Sequence, residues 1–200
     1  AALDATLSYA IDTHVHADHI SGVRAVGART DAEVVLPAGA TERGLDFDAR
    51  LVDDGEALAV GGTTLTALHA PGHTREMTAF VVGERGQGDS DPDILLTGDS
   101  LFLRSVARPD LEDGVDGAPE LAALLHGTLT ERFAELSDDI VVAPGHHDAV
   151  TTATDLGAYT ATLGELRVSV DALSMDADTF VDHVLSAMPP RPNNYERIIA

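Results

Sequence analysis

Thr13-His14-Val15-His16-Ala17-Asp18-His19, preceded by Asp12, is the stretch on which the reading of this chain turns. Three histidines and an aspartate within six residues are too concentrated for an ordinary polar loop. Imidazole and carboxylate are ligands for borderline divalent metals. In an extended backbone side chains alternate, so His14 and His16 share one side. Asp18 and His19 fall on the turn that follows and face a neighbouring position. One short segment therefore offers ligands to two adjacent metal positions.

Three further turns repeat the arrangement. Tyr9-Ala10-Ile11-Asp12-Thr13 reads as a short strand feeding the histidine loop. In His69-Ala70-Pro71-Gly72-His73-Thr74 a strand ends at His69, and Pro-Gly turns the chain so that His73 projects from a rigid loop. Thr97-Gly98-Asp99-Ser100 sets a carboxylate at the end of the strand Ile94 to Thr97; alone, such an aspartate is an ordinary helix cap. Ala143-Pro144-Gly145-His146 closes the strand Ile140 to Ala143. Each turn follows a strand directly, so the four converge on one edge of a sheet.

The rest of the chain is strand-rich with interspersed helices. Residues 1–8 read as the end of a helix, and Ile20 to Ala28 as a helix. Ala32 to Leu36 reads as a buried strand stopped by Pro37. Ala57 to Val60 and Thr63 to Leu68 flank Gly61-Gly62, a hairpin signal. Thr78 to Val82 is a strand. Residues 83–93 (GERGQGDSDPD) and Asp110 to Ala118 read as acidic loops. Pro119 opens a helix to about Ser137, with Leu121, Leu124, Leu125, Leu129, Phe133 and Leu136 at the 3.6-residue period. Asp176 to Met188 is a helix with Phe180, Val181, Val184 and Leu185 inward, ended by Pro189-Pro190. Asn194 to Ala200 forms a last helical turn. No internal repeat or linker divides the chain, so residues 1–200 read as one α/β (α+β) domain with helices packed on sheets.

Composition narrows the function classes. The 12 basic residues, all arginine, face 34 acidic ones, a net charge of −22. That field repels nucleic acid and anionic lipid, so neither is an expected partner. An apolar fraction of 44% is enough for a core, so the acidity does not signal disorder. No cysteine is present, which excludes disulfides, thiolate metal sites and a cysteine nucleophile. No apolar run reaches the length of a membrane span and the start is not signal-like, so the expectation is a cytoplasmic protein. The charge density and the absence of lysine read as salt adaptation of a halophilic kind.

HVHADH, HAPGHT, TGDS and PGH, in this order over residues 9 to 148, resemble the signature of the metallo-β-lactamase fold. Within that superfamily DTHVHADHISG (12–22), TGDSLFLRSVARPDLED (97–113) and NYERIIA (194–200) are most similar to the persulfide dioxygenase family, the ethylmalonic encephalopathy protein type. The resemblance implies an αββα sandwich with its site at one edge. It implies one Fe(II) per chain held by His14, His73 and Asp99, with zinc, one or two ions, as the alternative. His16, Asp18, His19 and His146 match positions that bind a second metal in the hydrolytic relatives; in the dioxygenases they resemble residues that orient ligands and shape the pocket. The implied reaction is oxidation of a low-molecular-weight thiol persulfide by O₂ to sulfite and thiol. Arg108 is the candidate for a substrate carboxylate, against a salt bridge to Asp110 or Glu112; Arg104 is the weaker choice. His126, His147 and His183 take the bland reading of packed or surface residues. Tyr9 and Tyr195 are noted as residues that can approach the pocket.

The chain departs from the family pattern in having only thirteen residues before His14, where family members have several strands. The first strands of the sandwich are therefore expected to be lacking, with an exposed sheet edge covered by a second copy in a homodimer or larger assembly. A rhodanese-like sulfurtransferase is a further partner that the resemblance implies. Two other functions compete. A glyoxalase II-like thioester hydrolase would use all seven ligand positions for two metals and a bridging hydroxide. A non-catalytic metal-binding or sulfur-carrier module would keep the fold without the activity.

Overall fold

The structure, a computed structural model, describes residues 5–84, 93–186 and 188–199. Two sheets form its middle. The smaller is all parallel, in the order β1 (Tyr9–Ile11), β2 (Glu33–Pro37), β3 (Arg50–Val52). The larger runs β4 (Ala57–Val60), β5 (Thr63–His69), β6 (Thr78–Glu84), β7 (Ile94–Gly98), β8 (Val141–Pro144), β9 (Ala161–Thr162). Its pairs are antiparallel except β7 with β8. Strands β5, β7 and β8 therefore point the same way, and their C-terminal ends deliver His73, Asp99 and His146 to one edge.

Period-two alternation sorts the core into layers. Val35 of β2 turns inward to meet Val52, Leu58, Ala67 and Phe80, joining the two sheets. Its neighbours Val34 and Leu36 turn outward to Ala40 and the partly buried Val23 and Phe47. Helix α1 (Val23–Gly27) and the 3₁₀ turn Ala38–Arg43 lie on this outer side. On β7, Leu95 faces the opposite helical layer, whose core holds Leu125, Leu129, Phe133, Leu163, Leu166 and Phe180. That layer contains α2 (Gly114–Gly127), α3 (Leu163–Ser169) and α4 (Ala177–Ser186), and α5 (Tyr195–Ile199) follows it in the chain. The order of layers is the αββα sandwich expected from the sequence.

Several elements differ from the sequence reading. Residues 5–8 carry no helix, and residues 1–4 lie outside the described ones. The acidic stretch 83–93 gives its first two residues to β6, and 85–92 lie outside the described residues. Helix α2 begins at Gly114 rather than Pro119, so the second acidic loop ends at Asp113. Pro119 forgoes its N–H bond to the Val115 carbonyl, at a first turn whose Val115 is exposed. Beyond Gly127 the coil widens to a π turn over Thr128–Arg132 and then tightens over Phe133–Glu135. The Thr130 hydroxyl bonds the His126 carbonyl across this widening, and Thr128 donates to the Pro71 carbonyl. Leu124 faces outward. Helix α3 was not expected at all, although Thr162 and Glu165 form a reciprocal capping box at its start.

Candidate metal centre

The loop after β1 carries His14 into the interior. Its backbone is stitched to the β5–β6 connection on both sides of His14. The Thr78 N–H donates to the Thr13 carbonyl at 2.8 Å, and the Val15 N–H donates to Glu76 Oε1 at 3.0 Å. Thr13 Oγ1 lies 2.9 Å from His14 Nδ1, and His14 Nε2, fully buried, has no hydrogen-bond partner among the described residues. A buried imidazole nitrogen left open in this way is what a metal ligand requires before the metal binds.

His73 is set by its Pro-Gly turn. Its Nδ1 lies 2.9 Å from the Arg108 carbonyl, to which it donates, so the Nε2 lone pair faces the site 3.8 Å from Asp99 Oδ2. Asp99 follows β7, and the Gly145 N–H donates to the Gly98 carbonyl at 2.8 Å. A Cβ on Gly145 would stand 2.7 Å from Asp99 Oδ1, so glycine alone lets the His146 turn pack on this carboxylate. His14, His73 and Asp99 are all buried, and their ligand atoms lie within 4.8 Å of one another.

A second group sits beside the first and nearer to solvent. Ligand atoms of His16, Asp18 and His19 also lie within 4.8 Å of one another. His146 Nε2 is 3.3 Å from Asp18 Oδ2 and 3.4 Å from Asp99 Oδ2. Asp99 thus faces His73 on one side and His146 on the other. The rings of His14 and His16 are 4.3 Å apart, those of His14 and His73 4.9 Å, and those of His16 and His19 3.9 Å. All seven ligand positions read from the sequence come together.

Electrostatics divide the two groups. Burial, reinforced by the charges of His73, His16, His146 and His19, holds His14 well below the ordinary imidazole pKa, which favours the neutral form that a metal can bind. His16 moves the other way: burial opposes its charge, but Asp12, 3.7 Å from Nε2, outweighs it with help from Asp18 and Asp99. Asp18 is likewise kept below the ordinary carboxylate range, its burial outweighed by a backbone hydrogen bond and by His19. Asp12 carries no signal in the sequence beyond its place before the histidine loop.

A cavity of about 590 Å³ borders this centre, and Asp18, His73, Asp99 and His146 are among its lining residues. Phe102, Val106, Leu111, Val184 and Met188 give it apolar walls. Arg108 lines it, but its guanidinium is committed. Nε and NH2 donate to Asp110 at 2.8 and 3.0 Å, and NH1 donates to the Pro190 carbonyl at 3.0 Å. The salt bridge weighed against the substrate role is the one the structure contains. Arg104, also on the cavity, is 61% exposed and 3.3 Å from Asp148. His183 also lines it. His126 bonds the Met175 carbonyl and packs on Phe180, and His147 stacks on Tyr159 at 3.7 Å. Tyr9 packs between the sheets, and Tyr195 accepts from Arg191.

An αββα sandwich with clustered histidine and aspartate ligands at one strand-end edge defines a class of metal-dependent enzymes. Residues 3–146 match the metallo-beta-lactamase superfamily, and the chain belongs to it. The chain is 27% identical to the mitochondrial persulfide dioxygenase ETHE1 of Homo sapiens over 194 residues, 95% of this chain and 66% of that protein. It is 33% identical to a hydroxyacylglutathione hydrolase of Parasynechococcus marenigrum over 140 residues, 70% of this chain and 52% of that one. Among solved structures, ETHE1 from Myxococcus xanthus superposes with a TM-score of 0.79 at 27% identity, covering 98% of this chain and 76% of that one. A metallo-beta-lactamase from Staphylococcus aureus superposes at 0.84 and 28%, covering 97% and 57%. The chain spans about half the length of several curated relatives that it matches, 45% of a probable metallo-hydrolase of Burkholderia pseudomallei among them. Among the described residues, no helix is long and apolar enough to cross a membrane.

Proposed function

We propose that the chain carries the active site of an iron(II) persulfide dioxygenase, which oxidises a low-molecular-weight thiol persulfide with O₂ and water to sulfite and the free thiol. The observation that carries this reading is the buried triad of two histidines and one carboxylate, His14, His73 and Asp99, of which His73 and Asp99 line an apolar-walled cavity. Likeness along almost the whole chain to two ETHE1 proteins supports it. The open Nε2 of His14 fits a metal in this triad.

Iron(II) bound there supplies the one-electron chemistry that O₂ requires. The protein's part is positioning. The Arg108 carbonyl fixes the His73 tautomer, and the Thr13 hydroxyl meets the outer nitrogen of His14. Phe102, Val106 and Leu111 supply the apolar wall against which the substrate sulfur would lie. Arg104 stands where an anionic thiol carrier would enter, whereas Arg108 holds the wall.

A second reading is a binuclear thioester hydrolase. It is favoured by Asp99 Oδ2 lying 3.8 Å from His73 Nε2 and 3.4 Å from His146 Nε2, so that this carboxylate would serve both ligand groups if two metals were held, and they would activate a water for attack on the thioester. Oxygen uptake separates the two. Protein loaded anaerobically with Fe(II), in molar salt, is given a low-molecular-weight persulfide. The dioxygenase consumes O₂ and releases sulfite, and His73→Ala and Asp99→Ala abolish both. Absence of uptake, with thioester hydrolysis by the zinc-loaded form, replaces it with the hydrolase.

A further inference from the structure

The side chains of two glutamates are buried near the histidine loop, beside a second cavity of about 370 Å³ that they line with Arg43. Glu76 is 5% exposed and Glu112 lies close by, with Arg43 between them. Arg43 NH2 is 3.3 Å from Glu76 Oε2 and also pairs with Glu112 Oε1. The Arg75 N–H donates to Glu112 Oε2 at 2.6 Å. Burying carboxylates is costly, and an apolar set of similar shape often serves stability as well or better. An ionic set retained here calls for a reason other than packing.

The geometry supplies one. The remaining oxygen of Glu76, Oε1, accepts the N–H of Val15, the residue between His14 and His16. The 3₁₀ turn that carries Arg43 is pressed onto Glu76: a Cβ on Gly39 would stand 2.7 Å from the Glu76 Cβ. Each link is held from both ends: Glu112 fixes Arg43, Arg43 fixes Glu76, and Glu76 fixes the peptide joining the two histidines.

We propose that Glu76, locked by Arg43, is a positioning residue that sets the backbone of the His14–His16 loop and thereby the metal affinity of the centre. This rests on the metal-binding reading of the triad, whichever reaction the metal serves. Among the described residues Glu76 makes no hydrogen bond or ion pair with the His14 or His16 side chain, so its effect passes through the Val15 N–H. Removing the acceptor frees the loop to rotate about His14, and the open Nε2 loses its fixed aim.

The test is a zinc titration of metal-free protein against a chromophoric chelator, in molar salt, with circular dichroism and melting of the same metal-free samples. Glu76→Ala, which removes the acceptor, is expected to weaken zinc binding about 10–100-fold. Glu76→Gln keeps an oxygen for the Val15 N–H but turns its NH2 toward the Arg43 guanidinium, and is expected to recover part of the affinity that Glu76→Ala loses. Arg43→Met leaves Glu76 in place but unlocked and is expected to fall between wild type and Glu76→Ala. A folded Glu76→Ala protein that binds zinc as tightly as wild type overturns the proposal, as does Glu76→Gln losing as much affinity as Glu76→Ala. If Glu76→Ala does not fold, Arg43→Met decides: unchanged affinity overturns the proposal. Wild-type protein that takes up no zinc overturns the metal reading itself, a result distinct from any difference among variants.

Discussion

Asp110 shows how one residue shapes the cavity without touching the metal centre. It is buried, accepts Nε and NH2 of Arg108, and also accepts Arg191 Nε at 2.8 Å. Burial alone would raise its pKa, but the two guanidinium groups outweigh it and hold the carboxyl below the ordinary carboxylate range. A depressed folded pKa contributes stability above the unfolded value, about 3.9, and loses it as pH falls through the folded value. Asp110→Asn leaves two guanidinium groups poorly paired and should cost about 3 kcal/mol at pH 7. Urea unfolding at several pH values checks this: the gap from wild type should be constant above about pH 5 and shrink below pH 4. An equal gap at pH 3 and pH 7 would mean the ion pairs contribute nothing. At this scale the ligands were legible because their residue types are rare and each stands just after a strand. The Asp110 partner of Arg108, two residues on, was legible too; its second partner, the Pro190 carbonyl, was not, because it lies far along the chain. Glu76 was missed because nothing in a sequence marks a glutamate as buried.

Among elements, the turns matter more than the strands they follow. Gly72 sits at φ +144°, and a Cβ there would lie 2.5 Å from Leu125 Cα and 2.7 Å from Leu125 N, against the backbone of α2. No side-chain rotation relieves that contact, so Gly72→Ala must move the His73 turn or the helix. The expected cost is about 2–3 kcal/mol, with loss of tight zinc binding as His73 is displaced. Gly127→Ala, at the end of the same helix with open space around it, is the control. It should leave zinc binding unchanged and stabilise the fold by up to about 1 kcal/mol. Thermal melting and zinc titration of both variants check the pair. The hairpin of β4 and β5 and the His-bearing turns were readable from Gly and Pro signals. The start of α2 was not, because a proline inside the first turns looks like a helix opening. The box that caps α3 was present in the sequence, but a helix of seven residues leaves too short an apolar pattern to notice.

For the whole molecule, charge is the dominant variable. At −22 over 200 residues the surface repels itself, and pairs such as Arg24 with Asp46 are exposed and contribute little. The screening length falls from about 10 Å at 0.1 M salt to about 3 Å at 1 M. Repulsion summed over the surface therefore fades, whereas the buried pairs around Asp110 and Glu76 are screened much less. The melting temperature should rise between 0.1 and 2 M sodium chloride, and each kcal/mol gained corresponds to about 2–4 °C for a chain of this size. Calorimetry over that range is the measurement, and a rise of more than about 4 °C means that relief of repulsion exceeds about 1 kcal/mol. A melting temperature that falls with salt would mean the opposite balance, in which surface ion pairs stabilise the fold more than net charge strains it. The same series run on Asp110→Asn separates the two contributions. Its deficit relative to wild type should persist in 2 M salt, because the pairs it breaks lie beneath the surface that the ions screen.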